Sequence, residues 1–328
     1  MYVVTGGAGF IGSNLLAALE RRGEGPLVVC DRLRGNNKWL NIGKRELSDI
    51  VHPEQIFDFL DANKSRIRCL FHMGAISSTI ETNADLLVAN NFNLTLALFA
   101  WCTRNDVRMI YASSAATYGN GENGFDDDLS PTALSLLRPM NAQGWSKHLF
   151  DRRLARKVAD GKTLPPQWVG LKFFSVYGPN EYHKGVQQSV VSQVFPHAEA
   201  GTQAQLFRSH HPNYGDGGQL RDFIWVGDVI DVLLWLLDHP EVNGLFNLGV
   251  GKARSFLDLA TAVYRSLGKE PRVKFIDIPI GIREKYQYFT EARMERLRAA
   301  GYDKPFTPLE QGIEAYVTRY LAAADRYV

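Results

Sequence analysis

Seven residues near the N-terminus constrain this chain more than any others: Gly6-Gly7-Ala8-Gly9-Phe10-Ile11-Gly12, set between a short β-rich run, Tyr2 to Thr5, and a stretch of helical character, Ile11 to Arg22. A glycine loop that ends a strand and opens a helix can turn sharply. It also lets backbone N–H groups approach a pyrophosphate at the positive end of the helix dipole. Gly12 allows the helix to pack close against the strand. The next strand-like run, Pro26 to Cys30, ends at Asp31, 19 residues past Gly12, where an acid reaches the ribose of a dinucleotide. These positions predict a dinucleotide site built from Gly6, Gly9, Phe10, Ile11, Gly12 and Asp31. Asp31 alone favours NAD, because a carboxylate repels a 2′-phosphate. Arg32, Arg34 and Lys38 follow at once and can neutralise one, which tilts the expectation to NADP and leaves NAD open.

The alternation of strand and helix continues. Pro53 to Leu60 fits a helix, Cys69 to His72 a strand, Asp85 to Arg104 a long helix, Arg108 to Ala112 a strand, Ala142 to Val158 a helix and Gln167 to Phe173 a strand, with a loop from Gly119 to Met140. Such alternation predicts an α/β fold, a Rossmann-type doubly wound parallel sheet. Beyond Gly178 the regularity weakens. Ser209 to Gly218 reads as a surface insertion in which His210 and His211 are solvated, Asp228 to Leu237 as a helix, Gly244 to Leu248 as a strand, and Trp225 and Trp235 as core. The expected organisation is a dinucleotide-binding domain over residues 1–175, to which later segments return, and a smaller substrate-binding lobe over residues 176–328.

Composition narrows the functional classes. The 37 basic and 35 acidic side chains nearly cancel, so no global field would draw the chain to nucleic acid or to an anionic membrane. Apolar runs such as Leu96 to Cys102 and Val232 to Leu237 fall far short of the ~20 residues that span a bilayer. Met1 leads straight into the first strand, without the charged leader and apolar core of a secretory signal. Cys30, Cys69 and Cys102 are odd in number and lie in apolar contexts, so buried free thiols in a reducing cytoplasm are expected. No His/Cys/Asp cluster has metal-ligand spacing, and no metal site is expected.

The segment Arg108-Met-Ile-Tyr-Ala-Ser-Ser-Ala-Ala-Thr-Tyr-Gly119 places Ser113 and Ser114 just past the C-terminal end of a strand, the ligand edge of doubly wound folds. A hydroxyl there can donate to a substrate oxygen as charge develops during hydride transfer. Gln143-Gly-Trp-Ser-Lys147 follows on a helix, with Gln143 and Lys147 four apart and so on one face. Together with Phe71-His-Met-Gly-Ala-Ile-Ser-Ser-Thr79, Tyr177-Gly-Pro-Asn-Glu-Tyr-His-Lys-Gly185, Arg221-Asp-Phe223 and Arg298-Ala-Ala-Gly-Tyr-Asp-Lys-Pro-Phe306, these segments resemble the extended short-chain dehydrogenase/reductase superfamily. Within it they resemble the ADP-L-glycero-D-manno-heptose 6-epimerases, almost end to end. Dehydratase relatives carry Thr-Asp-Glu where this chain has Ser113-Ser114-Ala115, which disfavours dehydration.

The resemblance implies an isomerase of lipopolysaccharide core biosynthesis that inverts C6″ of an ADP-linked heptose while bound NADP is reduced and reoxidised within one cycle. It further implies a homo-oligomer and a set of residue roles. Ser114 would polarise the substrate oxygen, Lys147 would hold the nicotinamide ribose, and Lys184 would exchange a proton. Ser77 and Asn90 would lie near cofactor and sugar, Ser175 and Tyr286 would face the substrate, and Arg221 would meet its diphosphate. The family's motif is Tyr-x-x-x-Lys, and this chain has Gln143 where the proton-exchanging tyrosine belongs. A carboxamide has no useful pKa. Three explanations stay open: a substitution that traps a bound state, a natural relative using another acid/base, with Lys184 the surviving candidate, and a non-catalytic dinucleotide-sensing binder. A UDP- or dTDP-hexose 4-epimerase would share the fold and the cofactor.

Overall fold

The computed structural model describes residues 1–35, 37–283 and 286–328. The first half of the chain runs β1 (Tyr2–Thr5), α1 (Phe10–Arg21), β2 (Leu27–Cys30), β3 (Asp49–Val51), α2 (Ile56–Asn63), β4 (Cys69–His72), α3 (Ala84–Leu87), α4 (Leu94–Arg104), β5 (Arg108–Ser114), α5 (Pro131–Leu136), α6 (Ala142–Ala159) and β6 (Trp168–Phe173). There follow β7 (Ser175–Tyr177), α7 (Val190–Ala200), β8 (Ala204–Phe207), β9 (Leu220–Arg221), β10 (Phe223–Trp225), α8 (Val226–Asp238), β11 (Gly244–Leu248), β12 (Arg254–Ser255), α9 (Phe256–Ser266), β13 (Val273–Ile276), α10 (Ile280–Arg283), α11 (Glu295–Ala299) and α12 (Leu309–Tyr316).

Seven strands pair in the order β3-β2-β1-β4-β5-β6-β11, every pair parallel. Residues of β1, β2 and β4 are buried at every position, because helices cover both faces of a parallel sheet, and their sequences are correspondingly apolar except for Thr5 and His72 at the carboxyl ends. The strand order reverses between β1 and β4, which opens a crevice at the carboxyl ends of the strands. A second core, including Val191, Phe195, Val263 and Ile313, gathers α7, α9 and α12 beside the parallel pair β8 and β13.

Three features depart from the sequence reading. β3 was not anticipated: it has three residues, and Asp49 and Ile50 are exposed at the sheet's edge, so no apolar run marks it. The expected loop from Gly119 to Met140 contains α5, which starts where the Ser130 side chain accepts from Ala133 N–H and Pro131 fixes the first helical turn. The expected helix from Asp85 to Arg104 is interrupted by a π-helical segment, Val88–Asn93. There Asn91 turns inward and its amide donates to Ile76 O (3.0 Å) and Ser146 Oγ (2.9 Å). The 21-residue span Ala84–Arg104 contains an 18-residue window of mean hydropathy 1.3 and is long and apolar enough to cross a membrane by length and composition alone. In this fold Leu98, Phe99, Trp101 and Cys102 are instead packed into the core under the sheet.

Candidate active site

The carboxyl ends of β1, β2, β4, β5 and β6 open onto one cavity of about 630 Å³. At its floor the glycine loop has the conformation the sequence demands. Gly6 has φ +65°, and a Cβ there would fall 2.5 Å from Gly74 Cα; a Cβ on Gly12 would fall 2.3 Å from Gly6 O. Helix α1 begins at Gly9 with no capping side chain and no acid in its first turn, and Phe10, Ile11 and Gly12 line the cavity. An uncapped helix N-terminus in this setting fits a pyrophosphate. Asp31 is held at the same end: Oδ2 accepts from Ala8 N–H (3.0 Å), and Oδ1 accepts from Arg32 N–H (2.7 Å) and Lys38 Nζ (2.6 Å). The Arg32 guanidinium pairs with Glu54 and donates to Asn90 Oδ1 at 3.4 Å.

The facing wall is built by β5 and α6. Ser114 ends β5, and its Oγ accepts from Ala116 N–H (3.1 Å), which leaves its hydroxyl hydrogen available to a ligand. Helix α6 starts where Asn141 Oδ1 accepts from Gly144 N–H (2.8 Å), and this fixes Gln143 and Lys147 on one face. Lys147 donates from Nζ to Ala112 O (2.7 Å), and burial pushes its pKa down to about 8, against the pull of nearby Asp151. Gln143 is 4% exposed, lines the cavity, and its Oε1 has no hydrogen-bond partner among the described residues. On the opposite side Lys184 lies with Nζ 5.3 Å from the centroid of Phe10, and burial lowers its pKa while Glu181 opposes the shift.

Three connections escaped the sequence reading. Asn41 is buried, its amide donates to Ala8 O (2.9 Å) and Asn180 O (2.9 Å) and lies 3.1 Å from His183 Nδ1, so it ties the glycine loop to the segment carrying Lys184. The His183 imidazole is held down to about 4, chiefly by burial, and so is neutral. His72 bridges β4 to the π-helical segment. Thr95 gives its hydroxyl hydrogen to Asn91 O (2.7 Å), so His72 Nε2–H donates to Thr95 Oγ1 (2.8 Å) and Nδ1 accepts from Thr5 (2.7 Å). Burial lowers its pKa to about 3. Beneath the wall Asp151 and Lys172 form an ion pair at 2.8 Å, both side chains 0% exposed, to which Ser113 donates through Oγ (2.7 Å) and Tyr111 through its hydroxyl (3.3 Å). All three connections join residues remote in sequence, and no local spacing announces them.

Of the residues singled out in the sequence, Gly6, Gly9, Phe10, Ile11, Gly12, Asp31, Arg32, Lys38, Ser77, Asn90, Ser114, Gln143, Lys147, Ser175 and Lys184 all line this one cavity. Arg221 and Tyr286 do not. They lie together, the guanidinium carbon 5.5 Å from the Tyr286 centroid and 5.7 Å from that of Phe256. Arg221 donates to Leu220 O (2.9 Å) and to Gln287 O, and Gln287 in turn donates to Gly119 O, five residues past Ser114. His211, expected to be solvated, is exposed yet packs its ring against Tyr214 and Tyr288. Among the described residues no three His, Cys, Asp or Glu side chains are placed to hold a metal.

Comparison with known proteins agrees with this geometry. The chain is 46% identical over 331 residues, the full length of both proteins, to the ADP-L-glycero-D-manno-heptose-6-epimerase of Nitratidesulfovibrio vulgaris strain Hildenborough. Its fold matches the crystal structure of the Helicobacter pylori ADP-L-glycero-D-manno-heptose-6-epimerase with a TM-score of 0.78 at 28% identity, covering 97% of this chain and 95% of that one. The Thermus thermophilus UDP-glucose 4-epimerase, solved in complex with NAD, has a similar fold, with a TM-score of 0.72 at 24% identity over 96% of this chain and 97% of that one. A family model matches residues 2–249, from the first strand through the returning strand β11. The matched segment takes in the uncapped glycine loop, the serine-bearing edge and the start of α6, and the chain belongs to the NAD dependent epimerase/dehydratase family.

Proposed function

We propose that this chain inverts C6″ of an ADP-linked glycero-manno-heptose, with NADP retained as hydride carrier through the cycle. One observation carries the reading: a single cavity brings a pyrophosphate cradle, the free hydroxyl hydrogen of Ser114, and two lysines with lowered pKa, Lys147 and Lys184, onto the same space. Relatives of this name at 46% and 44% identity over full length give the substrate class. NADP over NAD is supported by Lys38, which lies 2.6 Å from Asp31 and cancels the charge that would repel a 2′-phosphate, and by Arg32 and Arg34 lining the same end. The reading includes a cytoplasmic location, supported by three free, buried cysteines.

Bound there, a nicotinamide supplies both a hydride acceptor and, later in the same cycle, a hydride donor, so no net redox change results. The chain's own residues do the rest. Ser114 Oγ donates a hydrogen bond to the oxygen on the reacting carbon, where negative charge develops. Lys147 keeps one N–H on Ala112 O and has its others for the cofactor ribose. Lys184 exchanges the hydroxyl proton at Nζ, where burial lowers its pKa below that of a free lysine. Gln143 holds a substrate hydroxyl through its carboxamide but moves no proton. Turnover is slow for want of the second proton carrier.

The test is to incubate purified protein with the ADP-heptose and follow inversion at C6″ by NMR, while denatured protein is extracted and its nucleotide identified by mass spectrometry. Slow inversion with NADP in the extract is expected. Turnover of UDP- or dTDP-hexoses alone would overturn the substrate, and NAD in the extract would overturn the cofactor.

A further inference from the structure

Lys184 stands near the tip of a short excursion between β7 and α7, and the residue that closes this excursion at its neck is Glu181. The segment Tyr182–Gln187 winds as a 3₁₀ turn, kinked at Gly185 with φ +55°, and the chain returns to the start of α7 at Ser189. Its two ends meet on one carboxylate. Glu181 Oε2 accepts from Ser189 N–H (2.5 Å), and Oε1 accepts from the Ser189 hydroxyl (2.6 Å) and from the Tyr316 hydroxyl of α12 (3.0 Å). Just before the neck, the buried Asn180 donates to Ser13 Oγ of α1 (3.0 Å). The excursion is thereby anchored to the helix whose Phe10 ring lies 5.3 Å from Lys184 Nζ.

Glu181 is fully buried, and these three partners are all neutral donors. A carboxyl group that receives three hydrogen bonds and gives none is ionised. Held by neutral donors alone it would be costly, and the cation that acts on it is Lys184. In return, Glu181 opposes the fall that burial imposes on the Lys184 pKa. The other ionisable groups around Lys184 cancel or are neutral. Asp31 and Lys38 on the same cavity pair with each other (2.6 Å), and α1 brings no acid in its first turn. His183 is neutral, and burial keeps the Tyr182 and Tyr316 hydroxyls protonated. We infer that Glu181 is a positioning residue that acts through Lys184: its carboxylate draws the two ends of the excursion together so that Lys184 faces the cavity, and it is the buried counter-charge that holds the Nζ ammonium there. This rests on the proposed function only for what the lysine does with its proton.

The experiment reads Lys184 itself. Purified protein is treated with acetic anhydride from about pH 6 to 10, and acetylation of the peptide carrying Lys184 is followed by mass spectrometry. In Glu181→Gln, which removes the charge and keeps the size, the midpoint for Lys184 should move to lower pH. Glu181→Asp keeps the charge and should return the midpoint toward that of the unsubstituted protein, while its shorter arm releases Ser189 and raises the plateau rate at high pH. An unmoved midpoint in Glu181→Gln overturns the inference. An equal shift in Glu181→Asp also overturns it, because packing and not charge would then be the cause. Lys184→Met gives a second measure that leaves the neck untouched. Without the ammonium, folded Glu181 holds its proton more firmly, so on denaturation this variant should lose stability more steeply than the unsubstituted protein as pH rises from the ordinary carboxylate value of 4.5 toward 7. Parallel curves overturn the pairing. Neither measurement uses turnover, so failure to invert ADP-heptose would remove the lysine's assigned task and leave this result standing.

Discussion

Under β5 and β6, Asp151 and Lys172 meet at 2.8 Å out of contact with solvent; Ser113 and Tyr111 donate to Asp151, and Lys172 donates to Thr117 and lies over the Tyr118 ring. One turn away on α6, Lys147 ends at the cavity wall with a single carbonyl partner; across the cavity Lys184 has the face of Phe10, and beyond it Arg221 has two carbonyls. The first group is complete within the chain and serves the fold. The second is left incomplete. A desolvated cation with no carboxylate in ion-pair contact is costly, and such a group is a candidate for completion by a ligand. On the proposed reading, Lys147 and Lys184 mark on the cavity wall where cofactor and substrate would go.

The largest expected effect sharpens this contrast at Gln143. If the incomplete set lacks a proton carrier, Gln143→Tyr should raise kcat on ADP-heptose by roughly 10²–10⁴-fold, the usual worth of general acid–base help. Equal initial rates for the two proteins would mean that the chain has solved proton transfer in another way. Asp151→Asn tests the complete set. Leaving Lys172 buried and unpaired should cost about 3–5 kcal/mol in chemical denaturation. A loss below about 1 kcal/mol would erase the distinction between the two groups.

Lys147→Met should do the opposite, stabilising the protein while epimerisation falls. The folded pKa of about 8 lies below the ordinary 10.5, so at pH 7 the folded state carries the full penalty of a buried charge. Between pH 8 and 10.5 the unfolded chain binds the extra proton, the unsubstituted protein gains stability as pH rises, and the variant's advantage shrinks. At pH 7 we expect about 2 kcal/mol after loss of the bond to Ala112 O. A destabilised variant would place Lys147 among the structural charges.

His148 gives the smallest effect. It is buried on α6, neither ring nitrogen makes a well-formed hydrogen bond among the described residues, and burial lowers its pKa to about 4. Stability should therefore fall as pH drops from 6.5 toward 4, because the unfolded chain takes up a proton that the folded one refuses. His148→Phe should remove one proton from that slope and add ~1 kcal/mol at pH 7. Denaturation midpoints measured from pH 4 to 7 decide it.

What could be seen in the sequence was what is local. β1, β2 and β4 announce themselves because strands buried on both faces are nearly continuous apolar runs, here broken only by Thr5 and His72 at the ligand edge. The cofactor end was legible for a similar reason: glycine loop, acid and basic residues lie within 33 residues, from Gly6 to Lys38. The edge strand β3 was not, since Asp49 and Ile50 face solvent. Asn41 was missed because its partners stand as far as 142 positions away, and Asp151 because an acid among the charged residues of α6 looks like any solvated one until Lys172 arrives from β6. His211 reads as solvated and is exposed; what the insertion does not show is that Tyr288, 77 residues on, meets its ring.

The sheet's last strand, β11, comes from residues 244–248 and pairs with β6, whose other neighbour is β5. As the chain leaves the ribosome, β6 must wait some 70 residues for that neighbour, with one row of backbone donors and acceptors unclaimed. A polypeptide halted near residue 175 would carry a sticky ribbon along its flank, ready to recruit other nascent chains. The order in which the chain supplies β6 and then β11 therefore leaves that flank open until Leu248 has been made.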